Sequence, residues 1–371
     1  MYVNGVQKFF TYAGYYANAF ARKSFRDIER LTHPMPQVND YWAEFGERIK
    51  RVGSAVFTIP LSAALFIPSL VFYFIAARTG RGRFELIEPK SPINFWRERS
   101  VKVVSLNACF QDPWSPLTGG VALPFERMGD CASRIAGIVN AISDEAPTIY
   151  LGQEFENLGA QDEFIRLMQQ KGFGYFLRDL GSSDPICNHS GLFVASKVPV
   201  QNIEFIPYPP EDRAGLAKWS NQGALTFTVS AQGKEIRFVN VHLNYSEGEE
   251  NQNARNRQLK RHVIPLLNRG SSVLFGDLNF DTSKVDRAVS GLLGFTNALE
   301  GTVTCTDEGK HVLRGKDRNP GGQPCADCQE KIDGLIYDPS KVKVPNPFIK
   351  PLRLNNQLLS DHFAVVATVG F

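Results

Sequence analysis

Six short segments of this 371-residue chain place an acid, an amide or an imidazole at or near the end of an apolar, β-prone run. They are Leu106–Asn107, Gln153–Glu154, Asn240–His242, Gly276–Asn279, Ile332–Asp333 and Ser360–His362. Hard divalent cations bind oxygen ligands, neutral donors bind phosphate oxygens, and an imidazole can activate water. This set of side chains is typical of metal-assisted chemistry on phosphate esters.

Among these segments, Gly276-Asp277-Leu278-Asn279 carries the most specific pattern. The glycine permits a tight turn after the preceding strand, and strand alternation predicts that Asp277 and Asn279 lie on the same side. A carboxylate beside an amide suits a phosphate, because one orients the nucleophile and the other donates to a phosphate oxygen. An Asx turn without catalytic function would give the same local sequence.

The remaining segments supply further carboxylates and two histidines. Glu154 follows a buried run, where it could face a crevice and bind a cation, although a surface glutamate in a turn has the same local pattern. Asp361 precedes His362 and could fix the tautomer of a general base. His242 is suited to donating to a phosphate oxygen. A lone histidine is usually structural, but two beside four acid or amide positions favour a site.

The composition excludes only those classes of protein that have an extreme composition or net charge. Hydrophobic residues make up 43% of the chain, as in ordinary globular proteins, and the net charge of +3 gives no argument for nucleic-acid binding. We therefore expect no nucleic acid as partner, and no obligate protein partner is evident. Six cysteines in a chain of this length do not make a disulfide framework. Buried thiols are expected at Cys109 and Cys131.

A second group of cysteines could bind zinc. Cys325 and Cys328 form a Cys-x-x-Cys pair, with Cys305 and His311 upstream. The spacing is irregular and there is no second Cys-x-x-Cys, so a disulfide or thiols in a Gly/Pro-rich loop are favoured over a zinc site.

The N-terminal part of the chain predicts association with a membrane. Residues Ser54–Ala77 contain no charge and exceed the roughly 20 residues that span a bilayer. Arginines and lysines on both sides leave the orientation open, and prolines at 60 and 68 allow a re-entrant pair of helices. The alternative is a buried helix of a soluble core. We expect the protein to be integral to, or tightly associated with, a membrane through this segment.

Residues 1–53 are aromatic and basic, which indicates an amphipathic helix on an anionic membrane surface or a helix packed against the next domain. Glycines and prolines predict a linker over residues 78–98. From residue 99 to 371, short apolar runs alternate with helical stretches near 127–143, 161–171 and 251–267. Many strands and few long helices predict an α/β domain of two packed sheets flanked by helices.

Taken in order, Asn107, Glu154, His242, Gly276–Asn279, Asp333 and Ser360–His362 resemble the endonuclease/exonuclease/phosphatase (DNase I-like) superfamily. The resemblance covers about residues 100–371. Finer segments are similar to the neutral, magnesium-dependent sphingomyelinases, namely Ser105–Cys109, Asn188–Pro199, Gly276–Asp281 and Lys331–Asp333. One departure is Gln222, which stands where those enzymes usually carry a lysine, and this bears on substrate choice.

The resemblance implies a four-layer α/β-sandwich of two mixed sheets with its site at one edge. It implies that Glu154 binds Mg²⁺, or Mn²⁺, with Asn107 beside it, and that Asp277 and Asn279 bind phosphate or position water. His242 would stabilise charge on the phosphate, and His362, oriented by Asp361, would be the general base. The remaining two residues, Asp333 and His189, would support the site from behind.

The activity implied by this resemblance is hydrolysis of a phospholipid, sphingomyelin or a related lipid, to ceramide or a diacyl lipid and a phosphorylated headgroup. A phosphatase acting on inositol phosphates and a metal-dependent nuclease are the alternatives within the superfamily. A catalytically inactive scaffold on the same fold is the alternative from another class, and the retention of all the polar residues argues against it.

Overall fold

The computed structural model describes residues 71, 84–89, 98–110, 128–156, 158–181, 190–231, 233–245, 248–280, 295–299, 302–306, 329–355 and 357–371. The chain divides into two units, Met1–Gly82 and Arg83–Phe371, and the described residues other than Val71 belong to the second unit. Within the described part of the chain, no helix is long and apolar enough to cross a membrane. The predicted membrane segment, of which only Val71 is described, stays a prediction.

Two mixed β-sheets form the centre of the second unit. The seven-stranded sheet has the order β1-β4-β5-β3-β2-β17-β14, and the six-stranded sheet has the order β10-β13-β9-β8-β7-β6. Each sheet contains one parallel pair, β2 with β3 and β8 with β9, among antiparallel neighbours. The strands of the first sheet are β1 (Glu85–Ile87), β2 (Ser100–Phe110), β3 (Ile149–Phe155), β4 (Tyr175–Arg178), β5 (Phe193–Ser196), β14 (Phe348–Lys350) and β17 (Ala364–Gly370). Those of the second are β6 (Gln201–Pro207), β7 (Gly223–Ala231), β8 (Lys234–His242), β9 (Ser272–Asp277), β10 (Thr296–Asn297) and β13 (Asp333–Tyr337).

Helices cover the outer face of each sheet. The described helices are α1 (Met128–Ser143), α2 (Leu158–Gln170), α3 (Glu249–Gln258) and α4 (Ile264–Leu267). Two 3₁₀ turns, Pro210–Asp212 and Gly215–Trp219, and two short pairs, β11 (Cys305–Thr306) with β12 (Gln329–Glu330) and β15 (Arg353–Leu354) with β16 (Gln357–Leu358), complete the described elements.

Three apolar clusters show that the layers are helix, sheet, sheet and helix. The first joins the inner faces of the two sheets, for example Val103 and Leu151 with Phe238 and Phe275. A second packs the outer face of the first sheet against α1 and α2, and a third packs the other sheet against the helical turn Leu259–Val263 and α4. The predicted α/β sandwich is confirmed. One face of each sheet is covered by the other sheet, and the opposite face is covered by helical segments.

The predicted boundaries differ from the structure in two places. The proposed linker over residues 78–98 contains β1, and Phe84 beside it is only 4% exposed. The folded unit therefore begins before residue 99, because Phe84 completes the core between the sheets. The predicted helix over residues 251–267 is interrupted by a π-helical turn at Leu259–Val263, which precedes Pro265 in α4.

Candidate active site

The inner face of the sandwich changes from apolar to polar at one end of both sheets. Along β2, Val101 and Val103 lie in the core between the sheets, and two-residue alternation continues this row to Ser105 and Asn107. The same alternation continues the inner rows of four further strands to Gln153, His242, Asp277 and Asp333. Strand pairing places Asn107 opposite Gln153, and Asp277 opposite both His242 and Asp333. The predicted residues of five strands therefore meet at one edge.

Local backbone geometry at the end of β3 orients Glu154. Its φ angle is 57°, in the left-handed region that non-glycine residues seldom adopt. Phe155 holds this conformation, because its ring stacks on Phe193 at 4.6 Å and its N–H donates to the Gly191 carbonyl at 2.8 Å. Gly191 has a φ of +70°, and a Cβ there would lie 3.1 Å from the Glu154 Cα. Strain of this kind is common at functional sites.

At the end of β9, Gly276 allows two strands to approach closely. A Cβ at Gly276 would lie 2.1 Å from the Val241 carbonyl oxygen. This glycine serves close approach within a strand, whereas the sequence had suggested a tight turn. Asp277 Oδ1 accepts the Asn279 N–H at 2.8 Å, and Asn279 has a φ of 49°. The Asx turn is therefore present, and the alternation argument for Asn279 was wrong because the strand ends at Asp277.

Asn107 joins the two carboxylates of the site. Its Nδ2 donates to Glu154 Oε1 at 2.9 Å and to Asp277 Oδ2 at 3.1 Å, while its Oδ1 accepts the Cys109 N–H at 3.1 Å. With its oxygen turned to the backbone, Asn107 presents a donor to the carboxylates. Asn107 thereby holds the acids in place, and its predicted role as a metal ligand stays a prediction.

Three side chains could hold a cation. Ligand atoms of Glu154, His242 and Asp277 lie within 4.8 Å of one another. His242 Nε2 is 4.0 Å from Glu154 Oε1 and 3.6 Å from Asp277 Oδ2. Two converging carboxylates in a nearly buried site fit a hard divalent cation, which would neutralise them. Glu154 was predicted as a ligand, and Asp277 joins it by geometry.

His362 forms a buried pair with Asp333. Its Nδ1 lies 2.8 Å from Asp333 Oδ2, and its Nε2 lies 3.6 Å from Asp277 Oδ2. Burial alone would lower the pKa of His362, but the charges of Asp333 and Asp277 and the hydrogen bond with Asp333 outweigh it and raise the pKa well above the ordinary value. Asp333 is thus the residue that orients His362.

The predicted orienting role of Asp361 was therefore wrong. Asp361 is buried and adjacent to His362 in sequence, but both ring nitrogens of His362 face other carboxylates. Successive residues of an extended segment point to opposite faces, so adjacency in sequence does not bring the two side chains together.

The roles of two hydroxyl groups at the site were not predicted. Thr304 Oγ1 accepts the N–H groups of Ile332 and Asp333, each at 3.1 Å, and so fixes the start of β13. Ser360 Oγ accepts the His362 N–H at 3.2 Å and also donates to the Asn107 carbonyl. Thr304 lies in none of the predicted segments, and Ser360 lies in the predicted Ser360–His362 segment without an assigned role, because both roles depend on contacts between distant segments.

A buried polar network lies directly beneath the site. Gln153 Nε2 donates to Asn240 Oδ1 at 2.8 Å, and Asn240 Nδ2 donates to the Gly152 carbonyl at 3.1 Å. These bonds cross from one sheet to the other, since Gln153 is in β3 and Asn240 is in β8. The network fixes the spacing of the two sheets immediately below Glu154 and His242.

His189, Cys325, Cys328 and His311 lie outside the described residues, so their predicted roles stay predictions. The buried Cys109 and Cys305 are thiols.

No family model matches this sequence, and no curated protein sequence is similar enough to count as a relative. Solved structures are similar. A double mutant of beta toxin from Staphylococcus aureus with bound magnesium ions is 17% identical, with a TM-score of 0.54 over 72% of this chain and 99% of that chain. Sphingomyelinase C from Streptomyces griseocarneus is 16% identical, with a TM-score of 0.51 over 72% and 99%.

A third similar structure is D. rerio TDP2 complexed with single strand DNA product, which is 15% identical with a TM-score of 0.51 over 74% of this chain and 100% of that chain. At these identities the likeness concerns the fold. The chain therefore shares its fold with beta toxin, sphingomyelinase C and TDP2.

Proposed function

We propose that this protein is a divalent-metal-dependent phosphodiesterase. One observation carries the proposal: Asp277 Oδ2 lies 3.6 Å from the Nε2 atoms of both His242 and His362, and Asn107 ties it to Glu154. In such an arrangement the two carboxylates can bind a cation while the two imidazoles face the phosphate and the attacking water. The fold shared with sphingomyelinase C and TDP2 supports the same class of reaction.

Glu154 and Asp277 would hold the cation, and His242 lies beside them. Oxygen ligands favour Mg²⁺, or Mn²⁺, over softer ions. A bound cation would supply Lewis-acid stabilisation of charge on the phosphate.

The histidines divide the remaining work. An ionised Asp333 can only accept a hydrogen bond, so the shared proton lies on His362 Nδ1, and Nε2 exchanges protons on the site side. Above its raised pKa, where the ring is neutral, His362 acts as general base toward the attacking water. Asn279 Nδ2 donates to the Leu243 carbonyl at 3.0 Å, and its second N–H is the group we assign to a phosphate oxygen. His242 stabilises charge that develops on the phosphate.

The substrate that we propose is a phospholipid, sphingomyelin or a related lipid, cleaved to ceramide or a diacyl lipid and a phosphorylated headgroup. Segments at residues 105–109, 188–199, 276–281 and 331–333 support this choice by their likeness to neutral sphingomyelinases. The uncharged Ser54–Ala77 segment supports it as well, because an anchor would hold the site next to its substrate.

A substrate panel tests this choice. The purified full chain with Mg²⁺ is offered sphingomyelin, phosphatidylcholine, inositol phosphates and single-stranded DNA, and release of each product is measured. We expect the phospholipids to be cleaved faster than the other two classes. Preferential cleavage of DNA would identify a nuclease, and preferential release of inorganic phosphate from the inositol phosphates would identify a phosphatase.

Membrane association is proposed on the same uncharged segment. The full chain is expected to bind phosphatidylcholine vesicles, and a fragment that begins at Arg83 is expected to bind them much more weakly. Equal partition of both proteins into the supernatant would contradict an anchor at Ser54–Ala77.

A further inference from the structure

Arg134, on the first helix of the domain, connects two segments of the candidate site. Its Nη1 donates to the Ala108 carbonyl at 2.7 Å and to the Leu359 carbonyl at 3.0 Å, and its Nη2 donates to the Cys109 carbonyl at 2.9 Å. The guanidinium also lies 4.3 Å from the centre of the Phe110 ring. A single side chain therefore binds three carbonyls from two distant segments. Cys109 lies 25 residues before Arg134 in sequence, and Leu359 lies 225 residues after it.

The first of these segments sets the position of Asn107. The pairing of β2 with β3 shifts between Asn107 and Phe110, and Cys109 has a φ of 52°. The Cys109 N–H donates to Asn107 Oδ1 and so turns Asn107 Nδ2 toward Glu154 and Asp277. Because Arg134 binds the carbonyls on both sides of this irregular peptide, it stabilises the conformation that orients Asn107.

The second segment, which contains Leu359, is connected to the base histidine, His362. Leu359, whose carbonyl accepts from Arg134, is followed by Ser360. Ser360 Oγ accepts the His362 N–H and donates to the Asn107 carbonyl. Arg134 thus acts on Asn107 through Cys109 and on His362 through Ser360.

We infer that Arg134 is a positioning residue that holds the carboxylate pair and the base histidine in one arrangement. This inference rests on the proposed function. Residues behind metal ligands typically change metal affinity or activity by about 10–100-fold when they are removed. Arginine suits this position because its planar fork can donate to several acceptors at fixed angles, whereas lysine offers a single ammonium.

Arg178 provides a matched control. Its side chain is 4% exposed and pairs with Glu85 and Asp162, so it is also a buried arginine of the first sheet. Glu85 and Asp162 both lie outside the candidate site. Loss of Arg178 should lower stability and leave the arrangement of Glu154 and Asp277 unchanged.

The test measures thermal unfolding of the full chain while Mg²⁺ or Mn²⁺ is titrated, together with hydrolysis rates across pH. A ligand that binds the native state raises the unfolding temperature by mass action, so the titration midpoint reports cation affinity without any turnover. We expect Arg134→Met to move this midpoint about 10–100-fold higher and Arg134→Lys to move it less. Arg178→Met should keep the wild-type midpoint although it unfolds at a lower temperature without metal.

Two results would overturn the inference, and only one of them would also overturn the proposed function. If the wild type is stabilised by the cation but Arg134→Met shifts the midpoint no more than Arg178→Met, the inference fails and the proposed function stands. If the wild type is neither stabilised by these cations nor active with them, the proposed function fails and this inference fails with it. Should Arg134→Met not fold, the Arg134→Lys midpoint decides: a wild-type midpoint contradicts the inference, and a higher one supports it.

Discussion

His362 and Asp333 form the pair on which the proposed proton transfer depends. His362→Ala removes the base, and general base catalysis typically contributes about 10²–10⁴-fold, so turnover should fall by that order while substrate affinity changes little. Steady-state kinetics across pH measure this. The acidic limb of the pH–rate profile reports a base that must be neutral to accept a proton. This limb should vanish in His362→Ala and persist in His242→Ala.

The matched control is His262→Gln, since His262 Nε2 lies 2.8 Å from Asp212 Oδ2 and pairs with no residue of the candidate site. This variant should keep near-wild-type turnover at temperatures where it is folded. Near-wild-type turnover with an intact acidic limb in His362→Ala would show that another residue is the base.

Asp333→Asn tests which carboxylate orients the base. Burial raises the pKa of Asp333, and the imidazole of His362 and the hydroxyl of Thr304 oppose this rise by favouring the ionised form. An amide at this position can donate to Nδ1 and so select the other tautomer, which places the proton on Nε2. We expect the acidic limb of the pH–rate profile to move in Asp333→Asn and to stay in Asp361→Asn. The opposite pattern would restore Asp361 as the orienting residue.

At the residue scale, the sequence predicted which side chains meet but not how each one bonds. Glu154, His242, Asp277 and Asp333 were found because each follows or begins an apolar run. The Asp333–His362 pair was missed because its members lie 29 residues apart, whereas Asp361 is adjacent. The donor role of Asn107 depends on the Cys109 peptide, and no local pattern predicts that conformation.

At the scale of elements, Asp212 joins the turn Pro210–Asp212 to the helical segment after His242. Its carboxylate accepts from Arg261 Nη1 at 2.8 Å and Arg257 Nε at 3.2 Å, and it lies beside His262. Burial acts to raise the pKa of Asp212, but His262, Arg261 and Arg257 outweigh it and lower the pKa below 3.8. A carboxylate with a lowered pKa stabilises the native state above the pKa it has when unfolded.

Asp212→Asn should therefore lower the free energy of unfolding at neutral pH. We expect about 1.5 kcal/mol, the lower end for hydrogen bonds to charged groups, because water can solvate the exposed arginines once they are released. The difference from wild type should be fully present only above about pH 5, where an unfolded aspartate is almost completely ionised, and should shrink as pH falls toward the lowered native pKa. Denaturant unfolding at several pH values measures it; a difference that grows toward acid would contradict this account.

The elements themselves were predicted well where periodicity was strong. Strands and helices appear near the predicted positions, with boundaries shifted by a few residues. The failures have physical causes: β1 is three residues long and gains its stability from pairing with β4, which a local pattern cannot show. The interrupted helix after His242 has almost no apolar face in its first ten residues, so its path depends on buried contacts such as Arg255 with the Asn244 carbonyl.

At the scale of the whole molecule, the start of the folded unit can be tested by truncation. A fragment that begins at Arg83 keeps β1 and Phe84, whereas one that begins at Arg99 loses Phe84 and the Glu85 partner of the buried Arg178. Losing a buried phenylalanine and breaking a buried ion pair each typically cost about 3–5 kcal/mol. The shorter fragment should therefore unfold at clearly lower denaturant concentration. Equal midpoints for the two fragments would mean that the unit begins at residue 99, as the sequence had suggested.

Metal dependence is the central claim, and a chelation series on the full chain measures it most directly. Hydrolysis of the best substrate of the panel is followed before EDTA, in excess EDTA and after Mg²⁺ is restored, for wild type and Glu154→Gln. We predict that EDTA abolishes activity and that Mg²⁺ restores it. Because Glu154→Gln removes an anionic ligand, it should need more Mg²⁺ and recover only part of the rate. Full activity of the wild type in excess EDTA would contradict the account.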